Sequence, residues 1–445
     1  MQTSTLTPPR VDRHAYLVQL LSQRLDVDET RLDGATLAWL KELRHQAVAQ
    51  LQTASLPTQR DEDWRFTDLS SLLAVDFEAA QPNLEAIAPE ALKQYHVPEA
   101  IAQLVFVDGI YAPALSTLGE LPAAVTVGSL LDVAPRLGDR LPTYLAQQTV
   151  GQDVFATLNT AGLQDAAIIW AGKNQAIAQP IHVLYLSRGD RPSFSQPRCL
   201  VVAEPNSALT LVETFACLDA GTYLSNSVTE IWVEENAEVN HVRLQQDSET
   251  AFHLSRTVVN QARSARYRVH DISLGAALSR RNLDVFHSGE QVETLMNGLT
   301  MIQGKQVADT HSLIDYAKPY GSSRQLHKCI VDDKAHTIFN GRVNVPQAAQ
   351  LTDAAQLNRC LLLSPKARVD TKPQLEIVAD NVKCTHGATV SQLEADEVFY
   401  LQSRGIDAES AQSLLIYAFA FEILGQIPVE SVQKRLSQFV SAHAR

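Results

Sequence analysis

The chain has 445 residues, a size that exceeds one ordinary hydrophobic core and indicates two or three domains. Its hydrophobic fraction of 45%, with 20% charged residues, is ordinary for a globular protein. The formal net charge of −13 argues against binding to the phosphate backbone of nucleic acids and against adhesion to anionic membranes, so a partner with a basic surface would suit the chain better.

Neither a signal peptide nor a membrane span is expected. The N-terminal segment lacks the apolar stretch of a signal peptide, and the most apolar run, residues 414–421, is too short to span a bilayer. The cysteines are widely scattered and form no Cys-x-x-Cys motif; they are Cys199, Cys217, Cys329, Cys360 and Cys384. This usage is typical of a reducing compartment, so we expect a cytoplasmic protein, or a protein of the plastid stroma in a plastid-bearing cell.

The N-terminal part predicts helices over residues 11–53, because leucines recur at helical spacing on both sides of a break at Asp33-Gly34. The following segment, 60–69, contains four acidic residues, which are Asp61, Glu62, Asp63 and Asp68. Sequence-adjacent acids point in different directions, so we interpret them as capping or solvated groups and assign them no catalytic or metal-binding role.

From about residue 101 the pattern becomes strand-like. Residues 104–109 and 124–127 predict strands, and after residue 167 short apolar runs alternate with polar turns for more than 200 residues. Such a run predicts an all-β body, either a sandwich or a solenoid. Its length favours the solenoid, and so do the similar turns at 235–239 and 288–292, although the repeat is too degenerate to assign a period.

The helical pattern returns after Tyr400. Asp407 is placed to cap a helix over 408–424 that Gly425 ends, and Pro428 opens a second helix. The first of these helices is apolar on every side, which indicates either a partner interface or burial between two layers of the same protein. The candidate partner-binding residues are Leu414, Tyr417, Phe419 and Phe421.

The common catalytic motifs are missing from the sequence. It contains no Gly-x4-Gly-Lys-Ser/Thr phosphate loop, no Gly-x-Gly-x-x-Gly, no Gly-x-Ser-x-Gly and no His-Glu-x-x-His. Asp332-Asp333 would suit a carbohydrate-cleaving β-solenoid only if both acids flanked one glycosidic bond. Neighbouring strand residues point to opposite faces, which argues against that arrangement.

The strongest candidate site is Lys-Cys-Thr-His-Gly at 383–387. In an extended segment Cys384 and His386 project from the same face. Thiolate and imidazole are ligands for zinc, copper or the iron of iron–sulfur clusters, yet one pair supplies only two of the four ligands that such sites usually need. The alternative is a small buried cysteine beside a hydrogen-bonded histidine.

Several segments together resemble the SufB/SufD family of iron–sulfur cluster assembly proteins. Besides Trp-Arg-Phe-Thr at 64–67, they are Phe-Asn-Gly-Arg-Val at 339–343, Asn-Arg-Cys-Leu-Leu-Leu-Ser at 358–364, Pro-Gln-Leu-Glu-Ile at 373–377, Lys-Cys-Thr-His-Gly-Ala-Thr-Val at 383–390 and Phe-Tyr-Leu-Gln-Ser-Arg-Gly-Ile at 399–406. Within the family, the 383–390 segment is similar to the SufD form, whereas SufB proteins carry a Glu-His-Glu-Ala-Thr-Thr version.

The resemblance implies a fold and a set of partners. The fold would be an N-terminal helical domain (1–100), a right-handed parallel β-helix core (101–395) and a C-terminal helical domain (396–445). The chain would be a non-catalytic scaffold subunit that pairs with SufB through the β-helix and with the ATPase SufC through the C-terminal helices. An isolated chain would form a homodimer.

The resemblance also implies a cargo. A nascent iron–sulfur cluster would form at the SufB–SufD junction with His386 as a ligand and Cys384 at the matching interface position. The family's complex has been associated with reduced flavin, for which no residue of this chain is assigned. The alternatives are a purely structural adaptor that never touches iron and a β-helix carbohydrate-active enzyme.

Overall fold

The computed structural model describes residues 12–81, 84, 87–148 and 153–443 of the chain. Strands account for 39% of the residues and helices for 26%. The α-helices are α1 Arg13–Ser22, α2 Gly34–Leu51, α3 Ser70–Leu73, α4 Leu130–Leu137, α5 Val154–Ala161, α6 Ala395–Gln402, α7 Ala408–Leu424 and α8 Glu430–His443. Short 3₁₀ helices lie at Glu29–Arg31, Glu62–Trp64, Pro89–Tyr95, Pro113–Leu115 and Gly138–Thr143.

The strands are β1 Glu78–Ala79, β2 Ala102–Val107, β3 Ile110–Tyr111, β4 Thr117–Leu118, β5 Val125–Ser129, β6 Ala167–Ala171, β7 Ile181–Ser187, β8 Ser193–Ser195, β9 Arg198–Ala203, β10 Ala208–Cys217, β11 Tyr223–Val233, β12 Glu238–Gln246, β13 Phe252–Gln261, β14 Arg266–Ser273, β15 Leu278–His287, β16 Glu293–Ile302, β17 Val307–Tyr316, β18 Ser322–Val331, β19 His336–Val345, β20 Asp353–Leu362, β21 Arg368–Ile377 and β22 Lys383–Gln392.

The strands form two sheets that face each other across a solenoid. One sheet runs β21-β19-β17-β15-β13-β11-β9-β6-β5, and the other runs β22-β20-β18-β16-β14-β12-β10-β7-β2-β3. From β9 onward, consecutive strands therefore alternate between the sheets, and each strand pairs in parallel with the next but one. The chain winds through about eight turns. The predicted parallel β-helix is confirmed.

One corner of the solenoid carries the repeat that the sequence only hints at. Asn174, Asn206 and Asn236 each adopt a positive φ near 60°, a conformation that asparagine tolerates better than most residues. Their side-chain amides hydrogen bond in a ladder at 3.0 and 2.8 Å, with spacings of 32 and 30 residues. Other residue types continue this column of positive-φ positions; they are Ser264, Gln291, Tyr320 and Leu351.

The interior of the solenoid contains charged groups as well as apolar ones. His241 bridges the Glu213 carboxylate at 3.2 Å and the Tyr267 hydroxyl at 3.0 Å, and all three side chains are buried. Asp271 pairs with Arg243 at 3.1 Å. Burial opposes the charged form of Asp271, yet neighbouring guanidinium groups, Arg281 first, hold its pKa well below the usual range. Removing one member of such a pair would leave an uncompensated buried charge.

His287 is a buried neutral histidine that makes stability depend on pH. Its Nε2 lies 2.8 Å from the Thr294 hydroxyl, and its ring packs edge-on against Tyr316 at 4.3 Å. Burial lowers the pKa of His287 from 6.5 to about 3. Below pH 6.5 the unfolded chain binds a proton that the folded chain does not, so the free energy of unfolding falls as the pH drops from 6.5 towards 3.

We therefore expect the urea midpoint of the protein to fall across this pH window and the His287→Gln variant to show a shallower fall. Circular dichroism at graded urea and pH measures both slopes. Burial also lowers the pKa of His182 to about 3 and that of His270 to about 4, so part of the dependence will remain in the variant. The exposed His45 provides the matched control, His45→Gln, which should retain the full slope. Equal slopes for the His287 variant and the unsubstituted protein would contradict the prediction.

The predicted terminal helices are present, and Asp407 is the N-cap that the sequence predicted; Asp33, predicted only as part of a break, is also an N-cap. Asp33 accepts hydrogen bonds from the backbone at the start of α2, and Asp407 does so for α7, which ends before Gly425. The sequence did not predict α4, α5 or α6, which are eight residues long each. No helix among the described residues is long and apolar enough to cross a lipid bilayer.

The acidic N-terminal segment contacts the β-helix, an attachment that the sequence did not predict. The Arg280 guanidinium lies 3.9 Å from the centre of the Trp64 ring and donates to the Asp63 carbonyl at 2.9 Å. Glu62 reaches Lys372 of β21 at 2.8 Å, a contact made at the surface. The N-terminal segment thus extends across the outer face of the sheet to its last strand.

Candidate functional site

The last turn of the solenoid is open. β21 ends one sheet and β22 ends the other, and each pairs on one side only among the described strands. Both strands are ten residues long, and most of their side chains are exposed or only partly buried. Long unpaired edges are ready to pair with another chain, and several apolar side chains stand exposed beside these edges. These exposed residues are Leu357, Ile377, Val378 and Val390.

Cys384 and His386 lie on β22 and share the face that looks into the solenoid. Cys384 is in register with Ala354, which is buried in the central core, and His386 is in register with Gln356. Cys384 is partly buried against that core, whereas His386 is exposed at the open end. The alternation of the strand turns Thr385 to the opposite face.

The two side chains differ in their readiness to bind a metal. Burial, and then the Asp353 carboxylate, raise the pKa of the Cys384 thiol, so it is protonated near neutral pH in the free chain. The ring nitrogens of His386 have no hydrogen-bond partner within the described part of the chain. The His386 imidazole is therefore free to bind a metal ion.

Two buried polar atoms on the last strands of the solenoid, one in each sheet, lack hydrogen-bond partners in the described structure. Gln356 donates to the Gln325 side chain at 2.7 Å, but its own oxygen Oε1 has no partner. The Thr371 hydroxyl on β21 is in the same state. Unpaired buried groups cost free energy, so the open end suits a polar occupant or partner that would supply the missing hydrogen bonds.

The donor set at the open end is incomplete. Among the residues that the structure describes, no group of three or more His, Cys, Asp or Glu side chains could hold a metal ion. A cysteine and a histidine supply a soft and a borderline donor of the kind found in iron–sulfur sites, where four ligands are usual. A metal-containing cargo held here would need further ligands from a second chain.

The C-terminal helices provide a second surface. α7 packs on β16 and β18, and α8 covers α7. Ser431 near the start of α8 also donates to Glu99, which ties the helices to the N-terminal part of the chain. The apolar side chains through which α7 and α8 pack are buried, and we call them the buried seat of α7; they are Ile416, Ala420, Ile423, Leu424, Val432, Leu436 and Val440.

Of the four residues predicted to bind a partner, Phe419 differs from the other three because it faces the β-helix. Leu414 and Phe421 are 47% and 42% exposed. Tyr417 is half-buried and stacks on Phe421 with ring centres 5.4 Å apart. Phe419 is also half-buried, but it faces the β-helix, where the Lys328 ammonium lies 4.1 Å from its ring centre and donates to its carbonyl at 2.8 Å.

The structure adds two exposed aromatic side chains that sequence reasoning did not single out. Phe399 and Tyr400 on α6 are 69% and 58% exposed, and α6 buries none of its residues. Both belong to the 399–406 segment that resembles the SufB/SufD family, and this resemblance is the sequence signal that could have identified them. A groove over α7 and α8 is lined by acids and hydroxyls around Leu414 and Tyr417; these polar residues are Asp407, Glu409, Ser410, Ser413 and Ser441.

Asp332 and Asp333 serve the fold. They were expected to be strand residues, but they lie in the turn between β18 and β19. There Asp333 adopts a positive φ of 51°, and its carboxylate accepts the Gly304 backbone N–H at 3.1 Å. This position stabilises stacked turns of the solenoid and gives no support to a glycosidic acid pair.

Comparison with known proteins extends over nearly the whole chain. Residues 185–419 match the family profile described as SUF system FeS cluster assembly, SufBD core domain, and residues 19–183 match the SufBD protein N-terminal region. An iron–sulfur cluster assembly SufBD family protein of Synechocystis sp. is 47% identical, covering 93% of this chain and 93% of the relative. The iron–sulfur cluster assembly protein SufD of Escherichia coli is 33% identical over 88% and 90%, and the chloroplast protein ABCI7 of Arabidopsis thaliana is 34% identical over 90% and 85%.

Proposed function

Because the chain belongs to the SufBD family of iron–sulfur cluster assembly proteins, we propose that it is a SufD-type scaffold subunit that supplies half of a cluster-assembly site. The observation that carries the proposal is the placement of His386 and Cys384 on an uncapped turn that offers fewer ligands than a cluster needs. The iron–sulfur cluster is the cargo of this site and not a resident cofactor.

The open end would be covered by a second β-helix, which we assign to SufB. The support is chemical: two unpaired ten-residue edges, exposed apolar side chains along them, and the unsatisfied oxygens of Gln356 and Thr371. A partner strand beside β22 would bring its own donors next to His386. In the absence of SufB, a second copy of this chain would use the same edges, which gives the homodimer expected of isolated chains.

The C-terminal surface would bind the ATPase SufC. The sequence has no phosphate loop of its own, so nucleotide would be held by another chain. Exposed apolar side chains at the centre and acids around them are the composition of a partner interface that meets a basic surface. The chain itself would be non-catalytic, and its unpaired cysteines suit the cytoplasm or the plastid stroma.

Co-expression with candidate SufB and SufC chains tests this assignment. A tag on this chain should capture both partners in fixed stoichiometry, and anaerobic reconstitution should load the complex, but not the isolated chain, with iron and sulfide. Failure to capture either partner, or equal iron binding by the isolated chain, would contradict the proposal.

The ATPase relationship gives a further prediction. The purified chain should neither bind nor hydrolyse ATP, whereas adding it with SufB should raise the rate of ATP hydrolysis by SufC, because only SufC would carry a phosphate site. A coupled ATPase assay with each subunit alone and in combination measures this. ATP hydrolysis by the lone chain that survives removal of contaminants would overturn the prediction.

A further inference from the structure

The fold brings together two cysteines that are far apart in the sequence. Cys329 on β18 and Cys360 on β20 are direct register partners on adjacent strands. Both thiols are buried, at 0% and 1% exposure, in a small cluster inside the last turns of the solenoid. Neither residue belongs to the site built around His386.

The surroundings of the two sulfur atoms are unequal. Cys360 donates to the Asn358 side-chain oxygen at 3.3 Å. Cys329 instead accepts: the Thr337 hydroxyl donates to its sulfur at 3.6 Å, and the Asn358 amide nitrogen lies 3.9 Å from it. The Cys329 sulfur is therefore surrounded by hydrogen-bond donors, whereas the Cys360 thiol directs its hydrogen towards an acceptor.

Electrostatics reinforce this asymmetry. The neighbouring Cys360 thiol first, and then His327 and the Thr337 hydroxyl, hold the pKa of Cys329 below its ordinary value, although burial opposes this. The neighbouring Cys329 sulfur, and then burial, raise the pKa of Cys360. Cys329 is thus the better nucleophile, and Cys360 retains its proton.

We propose that Cys329 and Cys360 form a redox-active dithiol that hydrogen peroxide converts to a disulfide. The Cys329 thiolate attacks one peroxide oxygen, the O–O bond breaks, hydroxide leaves, and Cys329 becomes a sulfenic acid. Cys360 then attacks the Cys329 sulfur, the S–O bond breaks, and the Cys360 proton leaves with the hydroxyl as water. Two thiols lose two electrons in total, and one peroxide becomes two waters.

The geometry of the sheet permits this bond. Neighbouring strands lie about 4.8 Å apart, which is inside the range of roughly 4.4–6.8 Å between the Cα atoms of bonded cysteines. The pair lies one strand behind the open end, since Cys360 is in register with Val390 of β22, whose side chain is 50% exposed. A reagent as small as peroxide needs only a local opening of this last strand to reach the thiols.

Mass spectrometry of the purified full-length chain tests the proposal. Trypsin would release the two cysteines on separate peptides, residues 329–334 and 360–366, so the disulfide has a distinct mass equal to both peptides less two hydrogens. After a graded peroxide dose, blocking of free thiols and digestion, we expect this linked pair to form about tenfold faster than oxidation of the equally buried Cys199. Full alkylation of Cys329 and Cys360 at doses that oxidise Cys199 would overturn the proposal.

Two variants assign the roles. Cys360→Ser should form no linked pair and should accumulate a sulfenic acid on Cys329 that dimedone traps. Cys329→Ser should leave Cys360 unreactive. Cys217→Ser is the control that retains the link. Equal dimedone labelling of Cys360 in the Cys329 variant would contradict the assigned asymmetry, and the measurement on the unsubstituted chain stands independently of how the variants fold.

Discussion

His386→Ala is expected to lower the cluster yield of the assembled complex by about tenfold or more, since even groups that only support a metal ligand are commonly worth that factor. The side chain is exposed on an end strand and makes no hydrogen bond within the described residues, so its loss should leave folding and partner binding nearly unchanged. A neutral imidazole binds iron well, and one fewer thiolate holds a cluster less tightly, as suits a scaffold that releases its product.

Anaerobic reconstitution with iron and sulfide analysis of the complex measures the effect. Cys384→Ser should have the same or a smaller effect, because its thiol is partly buried and protonated in the free chain. Thr385→Ala is the matched control, since this neighbour points to the opposite face of β22. A normal yield from the complex with His386→Ala would leave the chain as a structural adaptor that does not touch iron.

Substituting aspartate for both Leu414 and Phe421 is expected to weaken SufC binding by about 4 kcal/mol, or roughly a thousandfold, because interface anchors are commonly worth about 2 kcal/mol each. Both side chains project from α7 on the side away from its buried seat. Phe419 is left unchanged, because its contacts with Lys328 belong to the packing of α7 on the β-helix.

Titration calorimetry with SufC measures the affinity, and circular dichroism monitors the fold. Val18→Asp on α1 is the control, because Val18 is similarly exposed at 45% but lies on another surface. Unchanged SufC affinity in the double variant would contradict the assignment of this face. Loss of the β-sheet signal in the same variant would show that the two residues belong to the core.

Local signals in the sequence predicted the elements that carry them. The break at Asp33-Gly34 and the cap at Asp407 stand beside clear helical periods, so α2 and α7 could be placed closely. The solenoid period could not be assigned, because the corner column changes from asparagine to other residue types and its spacing varies from turn to turn. α6 is short and buries none of its residues, so it has no amphipathic pattern to detect.

The residues of the candidate site could be proposed from the sequence, but their position at the open end of the solenoid could not. The alternation of a strand predicted that Cys384 and His386 share a face, while only the tertiary structure places that face at an open end. The division between exposed Phe421 and half-buried Phe419 depends on where α7 packs on the β-helix. The meeting of Cys329 and Cys360 depends on strand register, which spacing in the sequence does not give.

The one-sided pairing of β22 also determines how rigidly His386 and Cys384, the residues proposed to bind the cluster, are held. In a stacked solenoid each turn is stabilised by its neighbours, so a terminal turn loses one of its two nearest-neighbour interfaces. Its backbone amides should be among the first in the β-helix to exchange with deuterium. Docking of a partner would supply the missing interface and stiffen His386 and Cys384 at the moment the site is completed. Fraying of this turn on separation would loosen the ligands again, which couples release of the cargo to disassembly.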